Sequence, residues 1–209
     1  NIEKFGANGI TVHPRPDQRH IKYQDVRQLK KNITTELNIE GNPKEKSFID
    51  LVLETSPTQV TLVPDTTGQL TSDHGWDTLK NKTFLIEMVN LFKSKNIRTS
   101  LFVDPEEKFI KGAQDTGTDR IELYTESYAA NYKSDREKAI SSYIKAAELA
   151  KKLDLGLNAG HDLNLENLKY FSSNIMNLKE VSIGHALIAD ALNYGMENTV
   201  NMYLRELKK

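Results

Sequence analysis

Short apolar runs rich in β-branched residues alternate along this chain with longer stretches whose apolar residues recur every three or four positions. Runs of the first kind are typical of buried strands, and stretches of the second kind are typical of amphipathic helices. The predicted strands cover residues 9–13, 33–39, 58–63, 97–103, 120–124, 155–158 and 180–183. The predicted helices cover residues 23–31, 44–55, 79–95, 106–116, 134–153, 165–172 and 187–207.

Regular alternation of strands and helices predicts a parallel sheet with helical crossovers, either an open doubly wound sheet or a closed barrel. Residues 1–6 resemble the last turn of a helix that ends at Gly6. We therefore expect a missing first strand and most of a first helix, roughly 25–35 residues, upstream of this chain. Seven visible units and one missing strand favour a TIM (β/α)8 barrel, and no linker divides residues 1–209, so we predict a single domain.

Composition narrows the class of protein. The chain is 38% hydrophobic and 27% charged, which is close to the average for globular proteins. The net charge of −1 gives no indication of a nucleic-acid or membrane partner. Because the chain has no cysteine, disulfides, thiolate catalysis and cysteine-ligated metal centres are excluded, and we expect a cytoplasmic protein. There is also no glycine-rich nucleotide-binding fingerprint, which weakens the open-sheet alternative.

Polar side chains collect at the predicted strand ends, where a TIM barrel carries its active site. Four of the five histidines lie at or just beyond such ends, namely His13, His20, His161 and His185. Glu40 and Glu122 end strands among apolar neighbours, where an unpaired carboxylate is costly to bury. Each residue alone has an ordinary structural explanation, but imidazoles and carboxylates that converge on one barrel mouth indicate general acid–base catalysis.

Two strand-to-helix turns contain Gly-His, one at Gly160-His161-Asp162 and one at Gly184-His185. They follow the last two strands, where TIM barrels often bind phosphate through backbone N–H groups at helix N-termini. A glycine can also simply permit a tight turn. The occurrence of two such turns together favours a phosphate site.

The segment 64–77 is the longest without a helical or strand pattern, which is typical of a lid, of a binding loop or of a plain surface loop. Its one tryptophan, Trp76, could act as an apolar latch. No lysine ends a predicted strand, which disfavours a Schiff-base aldolase. A metal-dependent hydrolase stays open as a minor alternative, since two histidines and two glutamates could form a ligand cluster.

The whole chain resembles the pyridoxine 5'-phosphate synthase family through a series of motifs in the family's order. These are Gly9-Ile10-Thr11-Val12-His13 with Arg15 and Arg19-His20-Ile21, Asn38-Ile39-Glu40, Leu62-Val63-Pro64, Ser100-Leu101-Phe102-Val103-Asp104, Ile121-Glu122-Leu123-Tyr124-Thr125, Leu157-Asn158-Ala159-Gly160-His161 and Ser182-Ile183-Gly184-His185-Ala186. Any one motif alone is weak evidence, whereas the combination is highly specific.

The resemblance implies an enzyme that joins 1-deoxy-D-xylulose 5-phosphate to 3-amino-2-oxopropyl phosphate, without metal or organic cofactor, in a homo-octamer. It implies that His13 and Glu40 are general bases, that His161 is the proton donor and that Glu122 stabilises charged intermediates. It implies that the first substrate is held by Arg15, His20 and Thr71, and the amino-ketone phosphate by Asp162, Gly184 and His185. Asp162 departs from the glycine of some family members. The alternatives are a phosphate-binding barrel of the isomerase or epimerase type and a catalytically silent phosphometabolite-binding barrel.

Overall fold

The computed structural model describes residues 1–66, 68–69 and 71–208. Within these ranges seven strands form one parallel sheet, in the order in which they occur along the chain. The strands are β1 (Gly9–Val12), β2 (Glu36–Gly41), β3 (Gln59–Leu62), β4 (Arg98–Val103), β5 (Arg120–Tyr124), β6 (Gly156–Gly160) and β7 (Leu178–Ser182). The helices are α1 (Tyr23–Asn32), α2 (Lys46–Thr55), α3 (Lys82–Lys93), α4 (Glu107–Asp115), α5 (Glu126–Lys152), α6 (Leu168–Asn174), α7 (His185–Tyr194) and α8 (Met196–Glu206). The predicted α/β barrel of TIM type is confirmed.

The strands alternate between an apolar outer face and a polar inner face. Leu37 and Ile39 of β2, like Ile121 and Leu123 of β5, are almost wholly buried in the core cluster that the helices cover. The residues between them point the other way, because side chains alternate along a strand. The inner face therefore carries buried polar side chains, among them Asn38, Thr61, Ser100, Glu122 and Asn158. The seven strands line this polar lumen, which leads up to their C-terminal ends.

Three predicted elements differ from the observed ones. The strand expected at 33–39 begins only at Glu36, because the carboxylate of Glu3 accepts the backbone N–H groups of Thr34 and Thr35, both at 2.6 Å. The helix expected to begin near Asp135 is preceded by further helical turns from Glu126. The final predicted helix is two helices, α7 and α8, which meet at residue 195.

Asp135 nevertheless begins a helical stretch, next to the predicted helix start at residue 134. Its backbone is extended (φ −159°, ψ 86°) between two helical stretches of α5. Its Oδ1 accepts the backbone N–H of Lys138 at 2.9 Å, which is the contact of an N-cap residue. The short turn at Glu3–Phe5 likewise ends at Gly6, whose φ of 106° confirms the predicted C-cap.

The segment between β3 and α3 is fixed to the barrel at its far end. Trp76 is 2% exposed and its indole Nε1 donates to the Leu62 carbonyl at 3.0 Å. The backbone N–H of Gly75 donates to Asp104 Oδ2 at 3.1 Å. The tryptophan thus anchors this end of the segment.

Among the residues described, no helix combines the length and apolar character needed to span a bilayer.

Candidate active site

His13 and Glu40 stand side by side where the first two strands end. Val12 of β1 pairs with Ile39 of β2, so the following residue of each chain segment lies in the same row. His13 Nδ1 is 3.9 Å from Glu40 Oε2. That separation is longer than a hydrogen bond, so the two groups are close but not directly hydrogen-bonded. The prediction that these two residues come from adjacent strands is confirmed.

Burial sets the protonation of this pair. It lowers the pKa of His13 to about 4, with the positive charge of Arg15 acting in the same direction. It raises the pKa of Glu40 to about 8, and the negative charges of Glu180 and Asp65 add to the increase. At neutral pH the His13 imidazole is therefore neutral and the Glu40 carboxyl is largely protonated. Their separation of 3.9 Å would suit an ion pair, but neither group carries the charge that an ion pair needs.

Glu122 points into the lumen from β5 and is 3% exposed. A Cβ atom at Gly160, on the neighbouring strand, would lie only 2.2 Å from Glu122 Oε1, so glycine leaves the room that this carboxyl occupies. Glu122 Oε2 is buried with no hydrogen-bond partner among the described residues. Burial raises its pKa well above the ordinary value, and the charges of Glu40 and Glu180 raise it further.

Arg15 is held by a buried ion pair that the sequence did not predict. Its Nη2 lies 2.9 Å from Asp65 Oδ2, and both side chains are less than a tenth exposed. Ser72 donates to the same carboxylate oxygen at 2.6 Å, and Arg15 Nη1 donates to the Gln69 carbonyl at 3.3 Å. The guanidinium is thus rigidly positioned with its charge already balanced.

The turn after β6 carries two non-glycine residues in the left-handed region, His161 at φ 88° and Asp162 at φ 57°. Such backbone is strained and persists where the surroundings hold it. Thr125 Oγ1 donates to the carbonyl of Gly160 at 2.7 Å and to that of His161, and Asn167 Nδ2 donates to the Asp162 carbonyl at 3.2 Å. Aspartate and glycine are among the residues that tolerate a left-handed conformation, so the aspartate at position 162 suits this turn.

The His161 ring lies between two aromatic side chains and one carboxylate. Its centroid is 5.1 Å from that of Tyr124, edge to face, and 6.2 Å from that of Phe102. Its Nδ1 is 3.2 Å from Asp162 Oδ2. The charge of His161 also contributes to lowering the pKa of His13, so both imidazoles act in one electrostatic environment.

The two Gly-His turns are neighbours because the ends of β6 and β7 are paired. Only the second stands at a helix start, since α7 begins at His185 directly after Gly184. The expectation that Asp162 also stands at a helix start is wrong. The α6 helix begins at Leu168, because the intervening residues form a turn in which Asn164 Oδ1 accepts backbone N–H groups.

His20 and Thr71 lie on exposed segments that meet at Gln69. His20 Nε2 accepts from Arg19 Nε at 3.3 Å, and Arg19 Nη2 donates to the Gln69 carbonyl at 2.5 Å. Gln69 Nε2 donates to the Thr71 carbonyl at 2.9 Å. The two segments are thereby tied together beside Arg15.

Sequence reasoning missed three residues that shape the site. Asp65 lies in the segment 64–77, for which no helix or strand was predicted, and it was not predicted as the partner of Arg15. Gly160 was not predicted as the neighbour of Glu122. Glu180 was placed in a strand without any role. The one signal for Glu180 was that it is an acidic residue in the otherwise largely apolar strand predicted at 180–183. Within the described ranges, no three histidine or acidic side chains are grouped so that they could hold a metal ion.

Comparison with solved structures shows the fold. The chain superimposes on phosphoribosyl anthranilate isomerase from Thermotoga maritima with a TM-score of 0.63 and 13% identity, covering 99% of this chain and 90% of that one. It superimposes on 3-keto-L-gulonate-6-phosphate decarboxylase from Vibrio cholerae with a TM-score of 0.67 and 12% identity, covering 99% and 87%.

Comparison with curated sequences is more specific. The chain is 59% identical over 208 residues to pyridoxine 5'-phosphate synthase of Flavobacterium johnsoniae, covering 100% of this chain and 87% of that protein. It is 60% identical over 203 residues to the protein of the same name in Parabacteroides distasonis, covering 97% and 85%. The family model described as pyridoxal phosphate biosynthesis protein PdxJ matches residues 1–209. This chain therefore belongs to the PdxJ family.

Proposed function

We propose that this chain acts as a pyridoxine 5'-phosphate synthase, a transferase-type enzyme that condenses 1-deoxy-D-xylulose 5-phosphate with 3-amino-2-oxopropyl phosphate. The products are pyridoxine 5'-phosphate, inorganic phosphate and water. The observation that carries the proposal is the pairing of His13 with Glu40 at the strand ends, in a chain 59% identical to a protein of that name. Ring closure requires repeated proton transfers, which such a pair can perform.

The pair has one proton to exchange at neutral pH. Glu40 holds that proton, since its pKa is about 8, and His13 beside it is neutral, since its pKa is about 4. After Glu40 gives its proton to a leaving group or to solvent, it becomes a carboxylate that can act as the general base. A pKa near the working pH suits a group that must both donate and accept. We assign general-base roles to both residues.

His161 is proposed as the proton donor on the other side of the lumen. The strained turn fixes its backbone, and Tyr124 and Phe102 restrict its ring. Glu122, buried below, is proposed to stabilise cationic intermediates in its ionised form, which the approach of a positive charge would favour.

Substrate contacts are proposed for six residues. Arg15, His20 and Thr71 would hold 1-deoxy-D-xylulose 5-phosphate, and Asp162, Gly184 and His185 the amino-ketone phosphate. The N-terminus of α7 supplies backbone N–H groups for an anion beside the last two residues. Because Asp65 balances the charge of Arg15, we expect Arg15 to contribute directed hydrogen bonds rather than net charge.

The test compares two single variants with both substrates present. Glu40→Gln keeps the shape of the side chain, so it should fold, bind 1-deoxy-D-xylulose 5-phosphate and lose about 100- to 10,000-fold in kcat for pyridoxine 5'-phosphate. Arg15→Ala should chiefly raise KM. Turnover by Glu40→Gln within a few-fold of the unsubstituted protein would show that Glu40 is not the base. Absence of pyridoxine 5'-phosphate with the unsubstituted protein would contradict the proposed function itself.

We further propose a cytoplasmic homo-octamer that needs no cofactor, as the family resemblance implies. Light scattering on the purified protein should give eight times the mass of one chain. Activity should survive exhaustive chelation and dialysis.

A further inference from the structure

A cluster of charged side chains occupies the N-terminal end of the polar lumen, away from the catalytic mouth. Arg120 Nη1 lies 3.1 Å from Glu180 Oε2, and Arg98 Nη2 lies 4.0 Å from the same oxygen. Arg98 also pairs with Glu36 and donates through Nε to Gln59 Oε1 at 2.8 Å. The mechanism above does not use these side chains.

A β-bulge selects the residue of β7 that enters this cluster. Leu157 of β6 pairs with Leu178, whereas the next residue, Asn158, pairs with Glu180, so Lys179 is the extra residue. In a regular ladder Lys179 would lie opposite Asn158 and point into the lumen. Lys179 is instead exposed, and Glu180 takes the inward position. The bulge thus places a carboxylate where regular pairing would have placed an ammonium group.

The partners of Glu180 favour its ionised carboxylate. Its Oε2 faces two guanidinium groups, those of Arg120 and Arg98, and it accepts from Asn158 Nδ2 at 3.4 Å. Burial raises the pKa of Glu180, and the two arginines oppose that rise. Two cationic partners favour the ionised carboxylate at neutral pH.

The two carboxyl groups nearer the mouth feel this charge. The charges that act on Glu40 include those of Glu180, Asp65 and Arg15, and Arg15 is already paired with Asp65. His13, 3.9 Å from Glu40, is neutral at neutral pH because its pKa is lowered to about 4. Glu122 pairs with Asn158, and Asn158 pairs with Glu180, so the Glu122 and Glu180 side chains lie in one row, two strands apart. The charges of Glu40 and Glu180 both raise the pKa of Glu122.

Three acidic groups therefore share one lumen. Among the described residues, the arginines nearest to them are each engaged by a carboxylate: Arg15 by Asp65, and Arg98 and Arg120 by Glu180. Like charges in such a space cannot all be ionised together.

We propose that Glu180 is a positioning residue of the acid–base site, whose ionised carboxylate retains a proton on the Glu40–Glu122 pair at neutral pH. The effect of Glu180 on turnover rests on the proposed function. The retained proton does not, because it is a property of the protein without substrate.

The experiment is a carboxyl titration by NMR on protein labelled with ¹³C at glutamate. The two signals are assigned by their loss in Glu40→Gln and Glu122→Gln. In the unsubstituted protein at least one of them should titrate above pH 6. In Glu180→Gln its midpoint should fall by about one pH unit, the shift expected when one charge is removed at roughly 10 Å in a medium of effective dielectric constant of about 20.

Glu36→Gln is the matched control, since it removes the same charge from a side chain that also pairs with Arg98. Glu36 lies four residues before Glu40 on β2, roughly 13 Å along the strand, and its side chain is half exposed. Because solvent screens an exposed charge, its loss should leave the titration nearly unchanged. The pH–rate profile of Glu180→Gln should shift in the same direction as the titration, and that of Glu36→Gln should not. A purely structural role for Glu180 would change stability without moving either midpoint.

Three results would overturn the proposal: no Glu40 or Glu122 signal above pH 6 in the unsubstituted protein, an unchanged titration in Glu180→Gln, or an equal shift in Glu36→Gln. If Glu180→Gln does not fold, Glu180→Asp takes its place. Aspartate has a side chain shorter by about one methylene, so its carboxylate lies farther from Glu40 and Glu122 and should shift the titration midpoint less, in the same direction. An unchanged midpoint in Glu180→Asp would contradict the proposal. Failure to form pyridoxine 5'-phosphate would instead contradict the proposed function and leave the titration standing.

Discussion

Gly160→Ala should disable the site through the single carboxyl that packs against it. The new Cβ would lie 2.2 Å from Glu122 Oε1, whereas ordinary contact begins near 3.4 Å, so the carboxyl must retreat by about 1.2 Å. The backbone of Gly160 is not in the left-handed region, so the effect of alanine is steric. Overpacking of this kind costs about 1–3 kcal/mol of unfolding free energy, and a misplacement of about 1 Å costs about 100-fold in rate.

The assay is a double-mutant cycle with Glu122→Gln, measured as kcat for pyridoxine 5'-phosphate formation. If Gly160→Ala acts by displacing Glu122, it should cost about 100-fold alone and less than about 5-fold in the Glu122→Gln background. A thermal melt of each variant separates this loss from unfolding. If the kcat losses of Gly160→Ala and Glu122→Gln multiply in the double variant, Gly160 does not act through Glu122. Turnover by Gly160→Ala within a few-fold of the unsubstituted protein would show that the new Cβ does not disable the site.

Three further predictions concern stability. His13 has a folded pKa of about 4, below its ordinary 6.5, so the neutral imidazole's contribution to the free energy of unfolding is full above pH 6.5. As the pH falls towards 4, up to about 3 kcal/mol of it is lost. Urea unfolding across this range should show a weaker pH dependence in His13→Gln, and an identical pH dependence would contradict the assignment. Trp76→Phe removes the donor to the Leu62 carbonyl and should cost about 1–2 kcal/mol, seen as a Tm lower by roughly 2–8 °C. An unchanged Tm would mean that the indole bond contributes nothing. Asp135→Ala removes the N-cap contact to Lys138 and should cost about 1 kcal/mol in the same melt, with Asp135→Asn as the variant that retains most of it.

The residues at the strand ends were predictable because they depend on chain order and on strand periodicity alone. Parallel strands that follow one another place their ends at one mouth, so His13 and Glu40 had to be neighbours once β1 and β2 were recognised. The same logic placed His161 and Gly184 beside each other, at the ends of β6 and β7. A one-residue error at a strand boundary does not alter which end of the barrel a residue occupies.

The boundaries of helices and strands were predicted less well, because they depend on contacts from distant parts of the chain. β2 begins later than predicted because Glu3 accepts backbone N–H groups that a strand could have used. The helix start at residue 134 was predicted, but the helical turns before it, from Glu126, have no comparable signal and were missed.

The sequence by itself determined that this chain is an α/β barrel with an acid–base set at one mouth, because strand periodicity, helix periodicity and chain order are local properties. Only the tertiary structure decided which charges meet. Arg15 finds Asp65 fifty positions away, and a one-residue bulge directs Glu180 rather than Lys179 into the lumen. The protonation of Glu40 follows from those encounters, since Coulomb energy and desolvation depend on distances that sequence spacing does not encode.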